Sequence, residues 1–408
     1  MRTLVIAGDF PWPEDRGPRL RLAMVLRGLR RCGAVELVSV VSQFRNEFDP
    51  PDASLDLARV TRIGFDNRPA TGAGLMATLG RPAMPFGLPW RDRRRVQSRL
   101  ARFARGRYDL VWFFGARPWV LAGEPMLASS VLDLDDLEDQ KIAARLSAPR
   151  PPTSAWAGKL RRIGSTWVAE DEIRRWRRLH RRAGARTGAI VVCSPLDADR
   201  ATAQGVPRVS VIPNAYPSIG DPVGRRTVGA PPCLLFQGLL SYPPNIDAAH
   251  LLAREIAPGV RAQIPDVEVR LVGDHHADLM TLDDPPRVHV VGRVPEIITE
   301  LARADLVVVP VRYGSGTRIK ILEAFRHRIP VVSTTLGAEG LGVEDGVHLL
   351  IADSVPAFVD ACVRLLGDSK LREAITSSAF HLYAERFRSE VVEAAVERLA
   401  RDVARAHG

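Results

Sequence analysis

The residues best suited to chemistry in this sequence follow a glycine-rich turn, Gly314-Ser315-Gly316-Thr317. A short apolar run ends just before this turn, and a helical pattern begins just after it. Glycine lets the backbone approach a ligand closely, and the free N–H groups at the start of a helix attract anions together with the helix dipole. Arg318 and Lys320 add two positive side chains. The segment therefore predicts an anion-binding site at the start of a helix.

A carboxylate on the same helix extends this prediction to a nucleotide. Lys320 precedes Glu323 by three residues, which places the two side chains about 60° apart on the helix wheel, so that they share a face. Ile321, Leu322 and Phe325 can then face the sheet. A carboxylate one to two turns behind a phosphate site is well placed to accept ribose hydroxyls. The alternative interpretation is a simple turn followed by a solvated glutamate.

The elements that must position this segment are short apolar runs alternating with amphipathic stretches. Such runs, rich in Val and Ile, are typical of strands buried on both faces, and their alternation with helices is typical of parallel sheets. In the first half, strands are predicted at Thr3–Ala7, Val35–Val41, Leu110–Phe114, Val131–Leu134, Ile190–Cys193 and Val209–Ile212. In the second half, they are predicted at Leu234–Gln237, Val267–Val272, Val288–Val291, Leu306–Val309, Val331–Ser333 and His348–Ile351. Helical patterns include Leu20–Arg30, Val96–Phe103, Ile246–Val260 and Ala357–Leu366.

The length of 408 residues suits two domains, and a segment rich in proline and glycine, 213–232, reads as the linker between them. We therefore predict an α/β protein of two doubly wound Rossmann-like domains facing each other across a cleft. In such sheets, ligands bind beyond the carboxyl ends of the strands. The predicted domains are 1–215 and 216–390, and 391–408 is expected to form a helix that packs back on the first domain. Irregular loops are predicted at 71–89 and 144–159.

Composition and charge narrow the class of protein. Apolar residues make up 46% and charged residues 25%, a globular balance that excludes a disordered, collagen-like or disulfide-scaffold protein. The net charge of +10 favours anionic partners. The four cysteines form no CxxC pair, which excludes a zinc knuckle built from neighbouring residues. Four widely spaced thiols suit a reducing cytoplasm. The first apolar run is too short for a signal peptide, and no run approaches the length of a membrane span.

The stretch GSGTRIKILEAFRHRIPVVSTTLGAEGL, which begins at Gly314, resembles the donor-site signature of the GT-B glycosyltransferases of family 4. The resemblance continues upstream through 211–214, 235–247, 269–273 and 288–294, and more weakly through 11–21 and 133–141. It implies the GT-B fold and transfer of a sugar from a nucleotide diphosphate sugar, with retention of anomeric configuration. It implies neither a metal nor another cofactor. The acceptor would be a small molecule or a glycan, such as a polysaccharide, a lipid-linked or a natural-product acceptor.

Carried over residue by residue, the resemblance assigns roles to the turn and its helix. Glu323 matches the second glutamate of the family's paired-glutamate motif, which implies ribose binding. The first glutamate falls at Ser315, a shorter and neutral residue, which leaves the identity of the donor sugar open. Gly316, Thr317 and Arg318 match the turn that holds the phosphates and the sugar.

Other donor-binding positions lie on the loops of both domains. Gly238 matches a loop that carries arginine and lysine in many members, whereas here Leu239 and Leu240 follow it. We therefore expect Arg318 and Lys320 to neutralise the leaving diphosphate as the catalytic groups. Arg293-Val294 matches the turn that holds the base through its backbone. Gly17 matches the N-terminal glycine loop that faces the phosphates.

A second departure concerns the first domain, where many members place a histidine near the reacting carbon. No histidine precedes His180 in this chain, and Phe114 or a neighbour occupies the matching strand end. Four polar residues near the predicted strand ends are candidate acceptor-binding groups in its place: Arg117, Asp135, Asp136 and Glu138. The alternative for Asp135 and Asp136 is that they cap the following helix.

Three further signals carry less weight. His275-His276, with Asp274 and Asp278 nearby, resembles a metal cluster, but adjacent residues rarely bind one ion and no third histidine is close in sequence. Eight arginines in 91–107 surround an apolar stripe, so they form a solvated face or contact a membrane surface or an acidic acceptor. The arginines of 174–186 are similar, with Trp167 and Trp176 predicted to pack beneath them. No module for nucleic-acid binding is visible.

Two other functions remain open alongside glycosyl transfer. One is a GT-B relative that epimerises or hydrolyses a nucleotide sugar, for which the missing histidine would be equally awkward. The other is a non-catalytic protein that binds nucleotide sugars, because the departures at Ser315 and Phe114 also suit lost activity.

Overall fold

The computed structural model describes residues 1–14, 17–42, 53–65, 84–86, 88, 92–146, 156–217, 229–314 and 319–406, with side chains of the long helix from residue 166 onward. The described residues fall into two compact units. Unit 1 contains the chain up to Leu146, the described residues from Trp156 to Ala215, and the C-terminal stretch from Ser389. Unit 2 runs from Tyr216 to Arg388.

Unit 1 is built on a seven-stranded parallel sheet. Its strands are β1 (Arg2–Ala7), β2 (Ala34–Ser42), β3 (Arg59–Phe65), β4 (Leu110–Phe114), β5 (Leu127–Asp135), β6 (Thr187–Val192) and β7 (Val209–Val211). They lie in the order β3-β2-β1-β4-β5-β6-β7, so the direction of winding reverses between β1 and β4. Loops part at such a switch point and leave a crevice at the carboxyl ends of the strands.

Helices cover this sheet and bury an apolar core on each of its faces. They are α1 (Gly17–Arg30), α2 (Arg93–Phe103), α3 (Ala116–Leu121), α4 (Glu138–Leu146), α5 (Trp156–Arg186), α6 (Pro195–Ala203) and, at the end of the chain, α13 (Ser389–Arg405). A short 3₁₀ turn spans Ala53–Leu55.

Unit 2 repeats the same plan with six parallel strands. They are β8 (Cys233–Gln237), β9 (Glu268–Val272), β10 (Val288–Gly292), β11 (Leu306–Val309), β12 (Val331–Ser333) and β13 (Leu350–Ile351). The order β10-β9-β8-β11-β12-β13 puts the switch point between β8 and β11. Every residue of these two central strands is buried, as expected for strands covered on both faces.

The helices of unit 2 pack around one large apolar core. They are α7 (Pro243–Leu251), α8 (Ala257–Arg261), α9 (Ile298–Leu301), α10 (Ile319–Arg326), α11 (Val355–Gly367) and α12 (Ser369–Arg386). A π-helical turn at Leu252–Ile256 joins α7 to α8, and a 3₁₀ helix spans Ala277–Leu282. Among the described residues, no helix combines the length and apolar character needed to cross a membrane.

One strand was missed, and three expectations about the elements need correction. β3 was not predicted, and the π-helical turn interrupts the helix predicted over Ile246–Val260. The loop predicted at 144–159 is helical at both described ends, in α4 and α5; most of the loop predicted at 71–89 lies outside the described residues. Trp176 is buried as predicted, but Trp167 is 65% exposed, because it lies on the outer face of α5.

Candidate functional site

Three glycines open the carboxyl edge of the unit 2 sheet. Gly238, Gly273 and Gly292 stand at the ends of β8, β9 and β10, and all three have positive φ angles, which disfavour other residues. A Cβ atom on Gly273 would lie 1.7 Å from the carbonyl oxygen of Gly238, so no side chain fits between these two loops. The Gly273 N–H donates to the Gly292 carbonyl at 2.8 Å. These three positions of the edge therefore carry backbone without a side chain.

Lys320 places its ammonium group at this switch point. It extends from the first turn of α10 until Nζ lies 4.3 Å from the centroid of the Phe236 ring and 3.3 Å from Asn245 Oδ1. A Cβ atom on Gly238 would lie 3.0 Å from the same Nζ, so the cation borders the glycine directly. Asn245 also donates from Nδ2 to the Leu239 carbonyl at 2.8 Å, which fixes the loop after β8. The arrangement presents a positive charge next to exposed backbone.

Glu323 lies one turn further along α10, on the side of β8. Its Oε2 accepts a hydrogen bond from Gln237 Nε2, while the buried Gln237 Oε1 has no partner within the described residues. Burial raises the pKa of Glu323 to about 7, although Lys320 and the hydrogen bond from Gln237 act in the opposite direction. The face of α10 shared by Lys320 and Glu323 is therefore directed at the end of β8, and Ile321, Leu322 and Phe325 are buried as predicted.

The other predicted donor-binding residues have different positions. Ser315, Gly316, Thr317 and Arg318 lie outside the described residues, and the described helix begins at Ile319. Arg293 and Val294 follow Gly292 at the end of β10, two strands from Gly238, with Arg293 exposed and Val294 partly buried. Gly17 is the first residue of α1 in unit 1.

The carboxyl edge of the unit 1 sheet holds a buried ion pair. Arg21 of α1 is fully buried and contacts Asp133 of β5, with Nη2 and Oδ1 2.9 Å apart. Its Nη1 donates to the Ile212 carbonyl and to Asn214 Oδ1, both at 2.9 Å. Asn214 Nδ2 in turn donates to Asp135 Oδ1 at 3.0 Å. Because a buried charge is stable only when paired and hydrogen-bonded, this network locks α1, β5 and the segment after β7 together.

The predicted acceptor-binding carboxylates are the outer part of this network. Asp135 has a φ of +59°, an uncommon conformation for a residue other than glycine, and its side chain is 23% exposed. Burial, then the charge of Asp136, raises the pKa of Asp135. Lys141 Nζ lies 3.5 Å from Asp136 and 3.0 Å from Glu138. The carboxylates are thus held by cations, hydrogen bonds and a constrained backbone.

Asp135 and Asp136 also converge with Cys193 closely enough to bind one metal ion, since their ligand atoms lie within 4.8 Å of one another. Cys193 is buried and directs its thiol at Asp136, with Sγ and Oδ1 3.5 Å apart. Arg21 and Lys141 already contact the two carboxylates. These cations supply the positive charge that a metal ion would bring.

The remaining first-domain candidates lie at the end of β4. Phe114 is the last residue of this strand, and its side chain is partly buried. Arg117 follows in α3 as an exposed side chain, with its guanidinium carbon 6.0 Å from the centroid of the Phe65 ring. Neither residue belongs to the Arg21–Asp133 network.

Sequence reasoning missed four residues that position these groups: Arg21, Asn214, Gln237 and Asn245. One signal was available for unit 1, because a carboxylate at Asp133 within an apolar strand requires a buried partner. The partner itself was not predictable, since Arg21 is 112 residues away along the chain.

A family model described as glycosyl transferases group 1 matches residues 231–368. An uncharacterized 44.6 kDa protein in the cps region of Klebsiella pneumoniae is 24% identical over 168 residues, which cover 39% of this chain and 43% of that protein. The chain therefore matches less than half the length of this relative.

Solved structures resemble the whole chain. Sucrose-phosphate synthase from Thermosynechococcus elongatus covers 100% of both chains, with a TM-score of 0.69 and 15% identity. WaaG, a glycosyltransferase involved in lipopolysaccharide biosynthesis, covers 98% of this chain and 99% of its own, with a TM-score of 0.62 and 17% identity. Anabaena HepE in complex with UDP and glucose covers 97% and 98%, with a TM-score of 0.59 and 17% identity.

One conclusion follows from the two parallel-sheet units, the structural similarity to these glycosyltransferases and the match to the family model. The chain has the GT-B fold, and residues 231–368 of its second unit match the glycosyl transferases group 1 model, which supports the glycosyltransferase class for this protein.

Proposed function

We propose that this protein is a retaining glycosyltransferase of family 4, which moves a sugar from a nucleotide diphosphate sugar to an acceptor hydroxyl. The observation that carries the proposal is the position of Lys320 and Glu323 at the switch point of the unit 2 sheet, beside Gly238. The similar structure of Anabaena HepE contains UDP and glucose, which supports a nucleotide sugar as donor.

In this proposal, unit 2 binds the donor and stabilises the leaving group. Cleavage of the bond between sugar and phosphate develops negative charge on the departing diphosphate. A cation fixed in advance beside that position lowers the barrier, because it needs no reorganisation during the reaction. Asn245 and the Phe236 ring hold Lys320 in this role. Arg318 would assist it, and Glu323 would accept the ribose hydroxyls.

Unit 1 would bind and orient the acceptor. Asp135 and Asp136 are the best placed groups, because the Arg21 network and Lys141 fix both carboxylates. When the acceptor hydroxyl is held near the anomeric carbon, its translational and rotational entropy is lost on binding. That loss then no longer adds to the barrier of the chemical step. We propose attack on the face that the diphosphate leaves, with the hydroxyl proton passing to the leaving phosphate. No metal and no side-chain histidine base is required in that scheme.

The first experiment is a thermal-shift and calorimetry screen of the full chain against UDP-, GDP- and dTDP-sugars. We expect one nucleotide class to bind and to be consumed when an acceptor is present. Consumption without any acceptor would instead support hydrolysis or epimerisation. Binding without turnover under all acceptor conditions would support the non-catalytic alternative, and no binding to any activated sugar would refute the proposal.

The second experiment removes the charge of Lys320. Lys320→Met keeps much of the side-chain length, and we expect turnover to fall by roughly 10²–10³-fold, as for loss of one preorganised group at a developing anion. Lys370→Met is the matched control, since Lys370 is exposed on α12. Equal turnover in the two variants would remove Lys320 from this role.

A further inference from the structure

His275 has no part in the mechanism proposed above, and the role argued for it here rests on that proposed function. His275 follows β9 at the carboxyl edge of unit 2, and its backbone pairs with that of Leu240 in the loop after β8. A Cβ atom on Gly292 would lie 3.4 Å from Cε1 of the His275 ring and 3.5 Å from Nδ1. The ring therefore stands over the glycine that ends β10.

Among the described residues, the two sides of the anion site differ in how the strand ends are covered. On the β12 side, the chain folds back over the strand ends: Thr334 Oγ1 donates to the Val311 carbonyl and accepts from the Gly337 N–H. A Cβ atom on Gly337 would lie 2.4 Å from Ser333 Oγ, so that side is filled. On the other side, glycines end β8, β9 and β10, so none of these three positions carries a side chain. Gly238 and Gly273 are partly exposed, and Gly292 is buried.

The side without side chains at these three positions favours one direction for a bound nucleotide. With the diphosphate at Lys320, the nucleoside extends from β8 past β9 toward β10. Neighbouring strands lie about 4.8 Å apart, so the end of β10 is roughly 10 Å from the end of β8. That distance is comparable to the length of a pyrophosphate and ribose. The base then reaches the end of β10, where His275 is the aromatic side chain over Gly292.

The His275 ring is available for such a contact. It is partly buried, and no hydrogen bond to either ring nitrogen is found among the described residues. Its neighbour His276 is engaged elsewhere: its Nδ1 lies 3.1 Å from Asp278 Oδ2 and caps the 3₁₀ helix that follows. The two adjacent histidines therefore differ in what their rings contact.

We propose that the imidazole ring of His275 stacks on the nucleobase of the donor. Stacking on an aromatic ring favours every base, because each has a flat π face, so His275 contributes affinity for the nucleoside and none for the phosphates. The matched residue pair supplies the test, in which His275→Ala is compared with His276→Ala and with His275→Phe.

The measurement is calorimetric titration of the full chain with UDP, GDP and dTDP, and with inorganic pyrophosphate. For the nucleotide that wild type binds best, we expect His275→Ala to raise Kd by about tenfold, within the range for loss of a stacked aromatic group. His275→Phe, which keeps a flat ring, and His276→Ala should bind this nucleotide as wild type does. Pyrophosphate should bind all four proteins equally.

Several outcomes would overturn the inference. They are unchanged nucleotide affinity in His275→Ala, an equal loss in His275→Phe, or a parallel loss of pyrophosphate affinity. Each leaves the proposed function intact, because wild type still binds the nucleotide. If wild type binds none of the three nucleotides, the proposed function and this inference fail together. Thermal unfolding of each variant shows whether a loss of affinity follows from a loss of fold.

Discussion

At the scale of single residues, the candidate donor site keeps a carboxyl group where its charged form is disfavoured. Glu323 is held near β8 by Gln237, and burial has a larger effect on its pKa than the nearby charge of Lys320. An ionised carboxylate accepts hydrogen bonds from ribose hydroxyls better than a neutral one does. We therefore expect Glu323 to cost stability in the free protein while serving the bound donor.

The cost in stability should appear as a difference between wild type and Glu323→Gln in how the free energy of unfolding depends on pH. Folding raises the pKa of Glu323 from an ordinary 4.5 to about 7, so the folded state binds more protons than the unfolded state between these values. Stability is therefore lost as pH rises from 4.5 through 7, by up to about 3 kcal/mol. Glutamine does not titrate, so this contribution to the pH dependence of stability is absent from the variant. Relative to wild type, the variant should gain stability at pH 8 and little at pH 4.5.

Urea unfolding followed by far-UV circular dichroism at the two pH values measures this difference. Glu373→Gln is the matched control, because Glu373 is an exposed residue of α12. The same calorimetric titration with UDP, GDP and dTDP should show weaker nucleotide binding by Glu323→Gln. A variant equally stable relative to wild type at both pH values would contradict the argument.

At the scale of elements, α4 and α5 are joined by a buried polar cluster behind the unit 1 edge. Oδ2 of Asp139 accepts hydrogen bonds from Arg177, from Gln204 and from its neighbour Gln140. Its Oδ1 instead lies 3.6 Å from Nδ1 of His180, and neither atom has a hydrogen-bond partner in the part of the chain that the structure describes. Since α4 also carries Glu138 and Lys141, this cluster positions the acceptor-binding candidates.

His180 should make unit 1 sensitive to acid. Burial lowers the pKa of His180 from 6.5 to about 4, although Asp139 and Glu138 oppose this, so the unfolded state binds more protons between these values. Stability therefore falls as pH drops below 6.5, by about 2 kcal/mol at pH 5. His180→Leu removes the titration, and the stability it loses relative to wild type should be smaller at pH 5 than at pH 7.5.

Tryptophan fluorescence isolates this effect, because all seven tryptophans of the chain lie in the first 215 residues. The comparison between wild type and His180→Leu cancels the contributions of the other histidines. A constant difference in unfolding free energy at the two pH values would show that His180 is not the group responsible.

The elements also show what local sequence can predict. Runs such as Leu306–Val309 are buried on both faces, so apolar content alone identifies them. β3 was missed because only Ile63 and Phe65 are buried, and Arg59 and Arg62 interrupt the apolar pattern of this edge strand. The other edge strands, β7, β10 and β13, were predicted because apolar runs mark them, whereas β3 lacks such a run.

In the candidate site, too, some residues are predictable from the sequence and others are not. The cation and the carboxylate of α10 were predictable, because helical spacing places Lys320 and Glu323 on one face. The residues that hold them were not, since Gln237 is 86 residues from Glu323 and Asn245 is 75 residues from Lys320. The topology of the fold brings such partners together, and local sequence patterns do not reveal that topology.

At the scale of the whole molecule, the chain leaves unit 1 after Ala215 and returns to it at Ser389. The returning helix, α13, completes the core of unit 1: Val392, Val396 and Ala400 are buried in the same cluster as α1 and β5. Unit 1 therefore depends on a segment that is synthesised after all of unit 2. The dependence is concentrated where α13 crosses α1.

Gly28 is the contact point of that crossing. A Cβ atom there would lie 2.7 Å from the Glu393 carbonyl oxygen and 2.8 Å from Val396 Cβ, and neither a backbone nor a β-carbon can move aside cheaply. Glycine in a helix interior costs about 1 kcal/mol relative to alanine, so Gly28→Ala would stabilise an isolated α1. In the folded unit, overpacking by about 1–3 kcal/mol should outweigh that gain.

Gly367→Ala is the matched control, since a Cβ atom at this helical glycine meets no atom within 4 Å. We expect Gly28→Ala to lower the urea midpoint of the tryptophan signal, and Gly367→Ala to leave it unchanged. Deleting 389–408 should destabilise the same transition more strongly, because it uncovers the apolar face of α1. If Gly28→Ala raised the midpoint instead, helix propensity would outweigh packing at this crossing, and α13 would not be a tightly packed part of unit 1.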